Sequence, residues 1–235
     1  MTGIKRNIGI IGDGPTDRKI FGKIVECILT EDTSKEFIDC NIIELKRQNI
    51  HDAVAKFLKN QNKKSPQNLV KNVSNILWGG YQDWIGEVGA ISNCDLLILT
   101  TDSEKVLRSP EDYFSYGINL FNILSEAAIR FYGIVLAHGY PQDQIPLVLP
   151  IITFPSIEII IAPAKGLKNY YGKKPLELKQ MIYNIDKDRP IMDEEVEENA
   201  MNFITVKGIE NIFNNIPESR QFIQTLSCYR VSCYL

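Results

Sequence analysis

Histidine is almost missing from this chain of 235 residues: only His51 and His138 occur, with no cysteine pair beside either. A zinc site built on imidazole or on a Cys/His cluster is therefore not expected, and neither Cys228 with Cys233 nor the isolated His138 supports nucleophilic catalysis. Cysteine is sparse and odd in number, at Cys27, Cys40, Cys94, Cys228 and Cys233. A chain of this length has no need of disulfide staples, so the pattern reads as a protein of the reducing cytoplasm. No window approaches the roughly 20 apolar residues of a membrane span. The apolar run near the N-terminus is short and is cut at Gly12-Asp13-Gly14-Pro15, unlike a signal peptide. No partner membrane is expected. A strong charge of one sign is lacking too, since 26 basic and 29 acidic residues leave a net charge of -3. The molecule as a whole does not attract nucleic acid, although a local basic surface is compatible with that balance. The phosphate-binding patterns GxxxxGK(S/T) and GxGxxG are also absent, because Gly12-x-Gly14 is followed by Asp17.

What is present is ordinary globular usage arranged in alternating periods. The run Ile8-Gly9-Ile10-Ile11 predicts a buried strand ending in a Gly/Pro turn. Apolar residues at 20, 21, 24, 25, 28 and 29 then mark one face of a helix, with Thr16 or Asp17 available as its cap. A second strand is expected over residues 37–45 and a helix over about 50–60. Another helical pattern recurs at Leu69, Val70, Val73, Ile76 and Leu77 until Gly79-Gly80 stops it; residues 81–93 have no clear period. Leu96-Leu97-Ile98-Leu99 is a continuous apolar run of the kind found in central parallel strands. Ser109-Pro110-Glu111 opens a helix expected to reach about residue 132, and a strand fits residues 145–152. Helices follow at about 175–183, 193–203, 207–215 and 217–228. This alternation predicts an α/β fold with a mainly parallel sheet flanked by helices. Residues 1–162 are expected to form the core and residues 163–235 a helical C-terminal appendage.

Ligands of such sheets sit beyond the carboxyl ends of the strands. Acidic residues fall there three times: Asp13 and Asp17 after the first strand, Asp102 and Glu104 after the central one, Glu158 after the later one. Short carboxylates beside a glycine suit Mg²⁺, which takes one or two carboxylates, waters and phosphate oxygens. The same residues also make tight turns and helix caps, and the two readings stand side by side. Lys165, Lys168, Lys173 and Lys174 interleave with Tyr170 and Tyr171, a pattern that fits either nucleic-acid contact or a solvated loop. The acidic run 193–198 reads as the first turn of a helix. Trp78 and Trp84 read as core or interface anchors.

The order Ile10-Ile11-Gly12-Asp13-Gly14-Pro15-Thr16-Asp17, a helix, then Leu96-Leu97-Ile98-Leu99-Thr100-Thr101-Asp102-Ser103 resembles the Toprim fold, in particular Toprim-like proteins of the DUF4276 and OLD-nuclease type. Pro155-Ser156-Ile157-Glu158 is similar to a later segment of such chains. The resemblance implies Mg²⁺-dependent phosphoryl transfer on nucleic acid, with Mn²⁺ as the alternative ion. It assigns Asp13 as metal ligand or general base, Asp102 as metal ligand and Glu104 as auxiliary ligand. Gly14 and Thr16 are then cofactor-binding positions, and Asp17 and Glu158 further metal candidates. Two departures bear on activity: Asp13 stands where the family has Glu, and Thr100 replaces the first Asp of a DxD pair. The second reading is accordingly a catalytically degenerate Toprim-like module that binds nucleic acid or a protein partner in a defence or repair assembly. Residues 12–17 also resemble the late GDGxxD motif of haloacid-dehalogenase-like phosphatases, but no DxDx(T/V) nucleophile motif precedes them.

Overall fold

The computed structural model describes residues 4–30, 38–46, 50–59, 65–102, 120–153, 156–185 and 193–232. Four strands, β1 (Ile4–Ile11), β2 (Ile38–Leu45), β3 (Leu96–Asp102) and β4 (Leu147–Thr153), form one parallel sheet in the order β2-β1-β3-β4. The described helices are α1 (Pro15–Thr30), α2 (Ile50–Lys59), α3 (Pro66–Val88), α4 (Leu120–Ala137), α5 (Glu158–Ala164), α6 (Pro175–Tyr183), α7 (Asp193–Phe203), α8 (Val206–Asn215) and α9 (Pro217–Ser232). Strands alternating with helices around a parallel sheet make the architecture α/β and Rossmann-like, as the sequence pattern predicts.

The two continuous apolar runs become the two central strands, paired in the register Ile8↔Leu96 to Ile11↔Leu99. Burial extends along β3 through Thr100 and Thr101. At the edge, β4 tolerates Pro150, whose missing N–H costs no ladder bond on an outer strand.

Residues 7–14 and 42–152 form one compact unit. Its longest helix, α3, starts where the Ser65 hydroxyl accepts from the Gln67 N–H with Pro66 next in line. It ends at Gly89, whose φ of 80° only glycine adopts cheaply and whose N–H donates to the Ile85 carbonyl. The helix therefore runs straight through Gly79-Gly80, where the sequence predicts a stop. The reason is packing: a Cβ on Gly80 would lie 2.5 Å from Ile11 Cδ1, and one on Gly9 would lie 3.0 Å from Trp84 Cε3. Glycine at these two positions lets α3 lie close against β1. Tyr81 and Trp84, one and four residues further along the helix than Gly80, are fully buried. The Tyr81 hydroxyl donates to the Gln144 carbonyl at 2.9 Å, and burial, with a smaller contribution from Tyr140, pushes its pKa up to about 12.

Packed along α3 is α4, which carries an 18-residue stretch of mean hydropathy 1.4. By length and composition this described helix is apolar enough to cross a membrane, contrary to the expectation that no segment is. Its inward residues Ile123, Leu124, Ala127, Phe131 and Val135 belong to the core of this unit, which accounts for much of that apolar character. His138 follows it, stacked on Trp78 with centroids 4.3 Å apart.

At the amino end of β3, Asp95 is 3% exposed and fully used. One carboxylate oxygen accepts from the Asn7 N–H at 2.8 Å, and the other from the Ser92 N–H at 2.7 Å, the Ser92 hydroxyl and the Asn7 side-chain amide. This staple ties the start of β3 to β1.

Residues 1–6, 15–41 and 153–235 form the other compact unit, which holds α1 and α5 to α9. Ile20, Phe21, Ile24, Val25, Ile28 and Leu29 of α1 are buried, as their spacing predicts. Within this unit Phe21 meets Phe222 edge-on, and Arg230 donates to the Ile28 carbonyl at 3.1 Å. Helix α8 is capped by Thr205, whose hydroxyl accepts from the Gly208 N–H.

Candidate functional site

Between β1 and β3 the strand order reverses, since the chain steps from β1 outward to β2 and then crosses back to β3. In parallel sheets the crevice at such a reversal, outside the carboxyl ends of the strands, is where ligands are held. The side chains at that place are Asp13, two residues beyond β1, and Asp102, the last residue of β3. Both are half-buried. One oxygen of Asp13, Oδ2, accepts from the Asp102 N–H at 2.8 Å and from the Thr101 hydroxyl at 2.9 Å. The carboxylate thus continues the β1/β3 pairing past the last backbone partners and fixes the spacing of the two acidic residues. Each bond is made to an ionised acceptor and is stronger than a neutral one.

Gly14 lies next to Asp13, and Pro15 is the first residue of α1. Thr16 and Asp17 therefore fall inside the first helical turn, and the cap position belongs to Gly14, contrary to the expectation that Thr16 or Asp17 caps the helix. Proline explains the shift, because its fixed φ and missing N–H suit the first helical position. A carboxylate in that first turn, as at Asp17, is favoured by the helix dipole. Thr16 and Asp17 belong to the second compact unit.

Glu158 opens α5 in that second unit and is 3% exposed. It accepts a 2.5 Å hydrogen bond from the Ser156 hydroxyl and faces the Lys179 ammonium at 3.6 Å. Tyr183 stands in the same set: burial first, and the negative charge of Glu158 second, raise its pKa, and among the described residues its buried hydroxyl has no hydrogen-bond partner. Glu158 thus has its own local partners. Glu104, Pro155 and the helix start expected at Ser109 lie outside the described residues, as does Cys233.

Among the described residues, no group of three or more His, Cys, Asp or Glu side chains stands together to hold a metal ion. Asp13 and Asp102 supply two hard oxygen donors, which suits Mg²⁺ or Mn²⁺ when waters and phosphate oxygens complete the shell. Thr101 is the site residue the sequence reading does not single out. Its place directly before Asp102, at the end of an apolar run, is the only local signal. Comparisons with protein families, with curated proteins and with solved structures return no match.

Proposed function

We propose that this protein cleaves phosphodiester bonds of nucleic acid with Mg²⁺ or Mn²⁺, in the manner of Toprim-like nucleases. The observation that carries the reading is the pairing of Asp13 with the end of β3, which brings two carboxylate-bearing residues to the reversal point of the sheet. Asp13 and Asp102 would hold the ion, with Glu104 as auxiliary ligand. A bound ion supplies a polarised phosphoryl oxygen and a water of lowered pKa. Thr101 keeps Asp13 oriented for that task, and Gly14 leaves the backbone open to an approaching phosphate. Water attacks phosphorus, the bond to the leaving oxygen breaks, and that oxygen leaves with a proton.

A second reading, a degenerate Toprim-like module that binds nucleic acid or a protein in a defence or repair assembly, is favoured by one feature. Thr100 replaces an acidic residue, and it is 2% exposed. Calorimetric titration of Mg²⁺ and Mn²⁺ into wild type, Asp13→Asn and Asp102→Ala separates the two, run beside cleavage assays on single- and double-stranded DNA and RNA. Ion binding and cleavage that disappear together in both variants support the catalytic reading. A wild-type protein that binds neither ion at millimolar concentration and cuts none of the four substrates overturns it.

A further inference from the structure

Residues 165–174 read Lys-Gly-Leu-Lys-Asn-Tyr-Tyr-Gly-Lys-Lys, four cations and no acid in a chain whose net charge is negative. In the structure the four lysines divide. Lys165 donates to the Ile182 carbonyl and lies over the Phe203 ring, so it belongs to the packing of the helical unit. Lys168, Lys173 and Lys174 are exposed, and among the described residues their ammonium groups make no ion pair or hydrogen bond. Three exposed lysines on one short loop, without an ion pair among the described residues, raise the local potential above that of the molecule as a whole.

The loop is also shaped. Gly166, Asn169 and Gly172 have φ values of 82°, 60° and 73°, so each sits in the left-handed region that favours glycine and asparagine. Its ends are tied by the Leu167 N–H to the Ala162 carbonyl and by the Lys174 N–H to Glu177. Tyr170 is 5% exposed and stacks on Tyr171, centroids 5.3 Å apart and planes 27° from parallel. Both tyrosine hydroxyls donate to the Asn215 carbonyl at the end of α8. Arg220 donates to the two preceding carbonyls, Phe213 and Asn214, which brings a fourth exposed cation to the same helix end. Tyr171 nevertheless remains 56% exposed. An aromatic ring pinned at its hydroxyl, stacked on a buried neighbour and carried on a lysine-rich loop is a platform rather than a core residue.

We infer that the 166–174 loop, with Tyr171 as stacking platform and Lys168, Lys173, Lys174 and Arg220 around it, binds single-stranded nucleic acid. Bases stack on aromatic faces irrespective of sequence, and lysines take the backbone phosphates. A duplex keeps its bases stacked inside and has no free face for Tyr171. An acidic peptide would use the cations but leave the ring without a partner. The kind of partner rests on the nucleic-acid reading above; the surface itself is independent of the carboxylates at the sheet.

The test is anisotropy of a short labelled oligothymidylate titrated with the full chain in the presence of a chelator, with a duplex and polyglutamate as competitors. Tyr171→Ala is expected to weaken binding by about 5- to 150-fold, and Tyr171→Phe to bind like wild type because the ring is kept. The Lys168→Gln, Lys173→Gln, Lys174→Gln triple variant should lower the slope of log affinity against log salt by about 2. Undiminished binding by Tyr171→Ala, or polyglutamate competing as well as the oligonucleotide, overturns the inference. If the oligonucleotide does not bind while Mg²⁺ still does, the loop surface is refuted and the metal reading stands. If it binds but the protein takes up no ion and cuts nothing, the surface stands and the catalytic reading falls.

Discussion

Asp13 offers a perturbation in which structural and chemical roles separate. In Asp13→Ala both hydrogen bonds to Oδ2 are lost, and each bond to a charged acceptor is worth about 1.5–3 kcal/mol net. The full sum is not expected. The Asp102 N–H lies near solvent and is taken over by water, while the Thr101 hydroxyl, on a residue 1% exposed, turns toward the Asp102 carbonyl 3.5 Å away. A loss of about 2 kcal/mol remains, which for a chain of this size lowers the melting temperature by roughly 4–8 °C. Asp13→Asn keeps an oxygen where Oδ2 stands, so at these two bonds only the charge on the acceptor is lost and the cost should be about 0.5–1 kcal/mol. Thr101→Val should cost about 1 kcal/mol and be less than additive with Asp13→Ala by a similar amount. Chemical denaturation of the wild type, the three single variants and the Asp13→Ala/Thr101→Val double variant reads all of this. Because Asp13→Asn is expected to fold yet lose its ion, calorimetry on the same sample reports the metal role without a folding defect. If Asp13→Asn is as unstable as Asp13→Ala, or if Asp13→Ala costs less than about 0.5 kcal/mol, the hydrogen-bonded latch between β1 and β3 is wrong.

Asp95 makes the opposite case: both of its oxygens accept, so an amide must turn an NH₂ toward a donor either way. Asp95→Asn should therefore be nearly as destabilising as Asp95→Ala, about 3 kcal/mol in denaturant titrations, with no rescue like that at Asp13. Gly80→Ala should destabilise by about 1–3 kcal/mol despite the better helix former, because the new methyl meets Ile11. Gly133→Ala, on an exposed turn of α4 with nothing within 4 Å of the new methyl, should stabilise by about 0.5–1 kcal/mol, and thermal melts of the pair check both signs. Tyr81 is neutral in the fold up to about pH 12 but ionises near 10 when unfolded, so its contribution is complete below about pH 10 and is lost as pH rises through 12. Tyrosinate absorbance should show a class of tyrosine that ionises only with unfolding, and Tyr81→Phe should flatten the loss of stability in that window. An unchanged pH profile in Tyr81→Phe would refute the assignment.

Local pattern alone determined the element types. Short apolar runs at 8–11 and 96–99 are buried on both faces only in the middle of a parallel sheet, and the spacing along α1 and the C-terminal helices fixed their periods. It also pointed to Asp13 and Asp102 as the residues just past two strands. Tertiary structure decided the rest, because the deciding contacts are long-range. Gly80 reads as a helix stop until Ile11 is seen beneath it, and the apolar composition of α4 makes sense once its core face is counted. Asp95 and Thr101 look like ordinary turn and strand residues until their partners, 88 residues away at Asn7 and Asp13, are in place. Above all, the neighbourhood of β1 and β3 is a choice of strand order. That order is settled by hydrogen bonds between distant segments, and no local period records it; it alone brings Asp13 to Asp102.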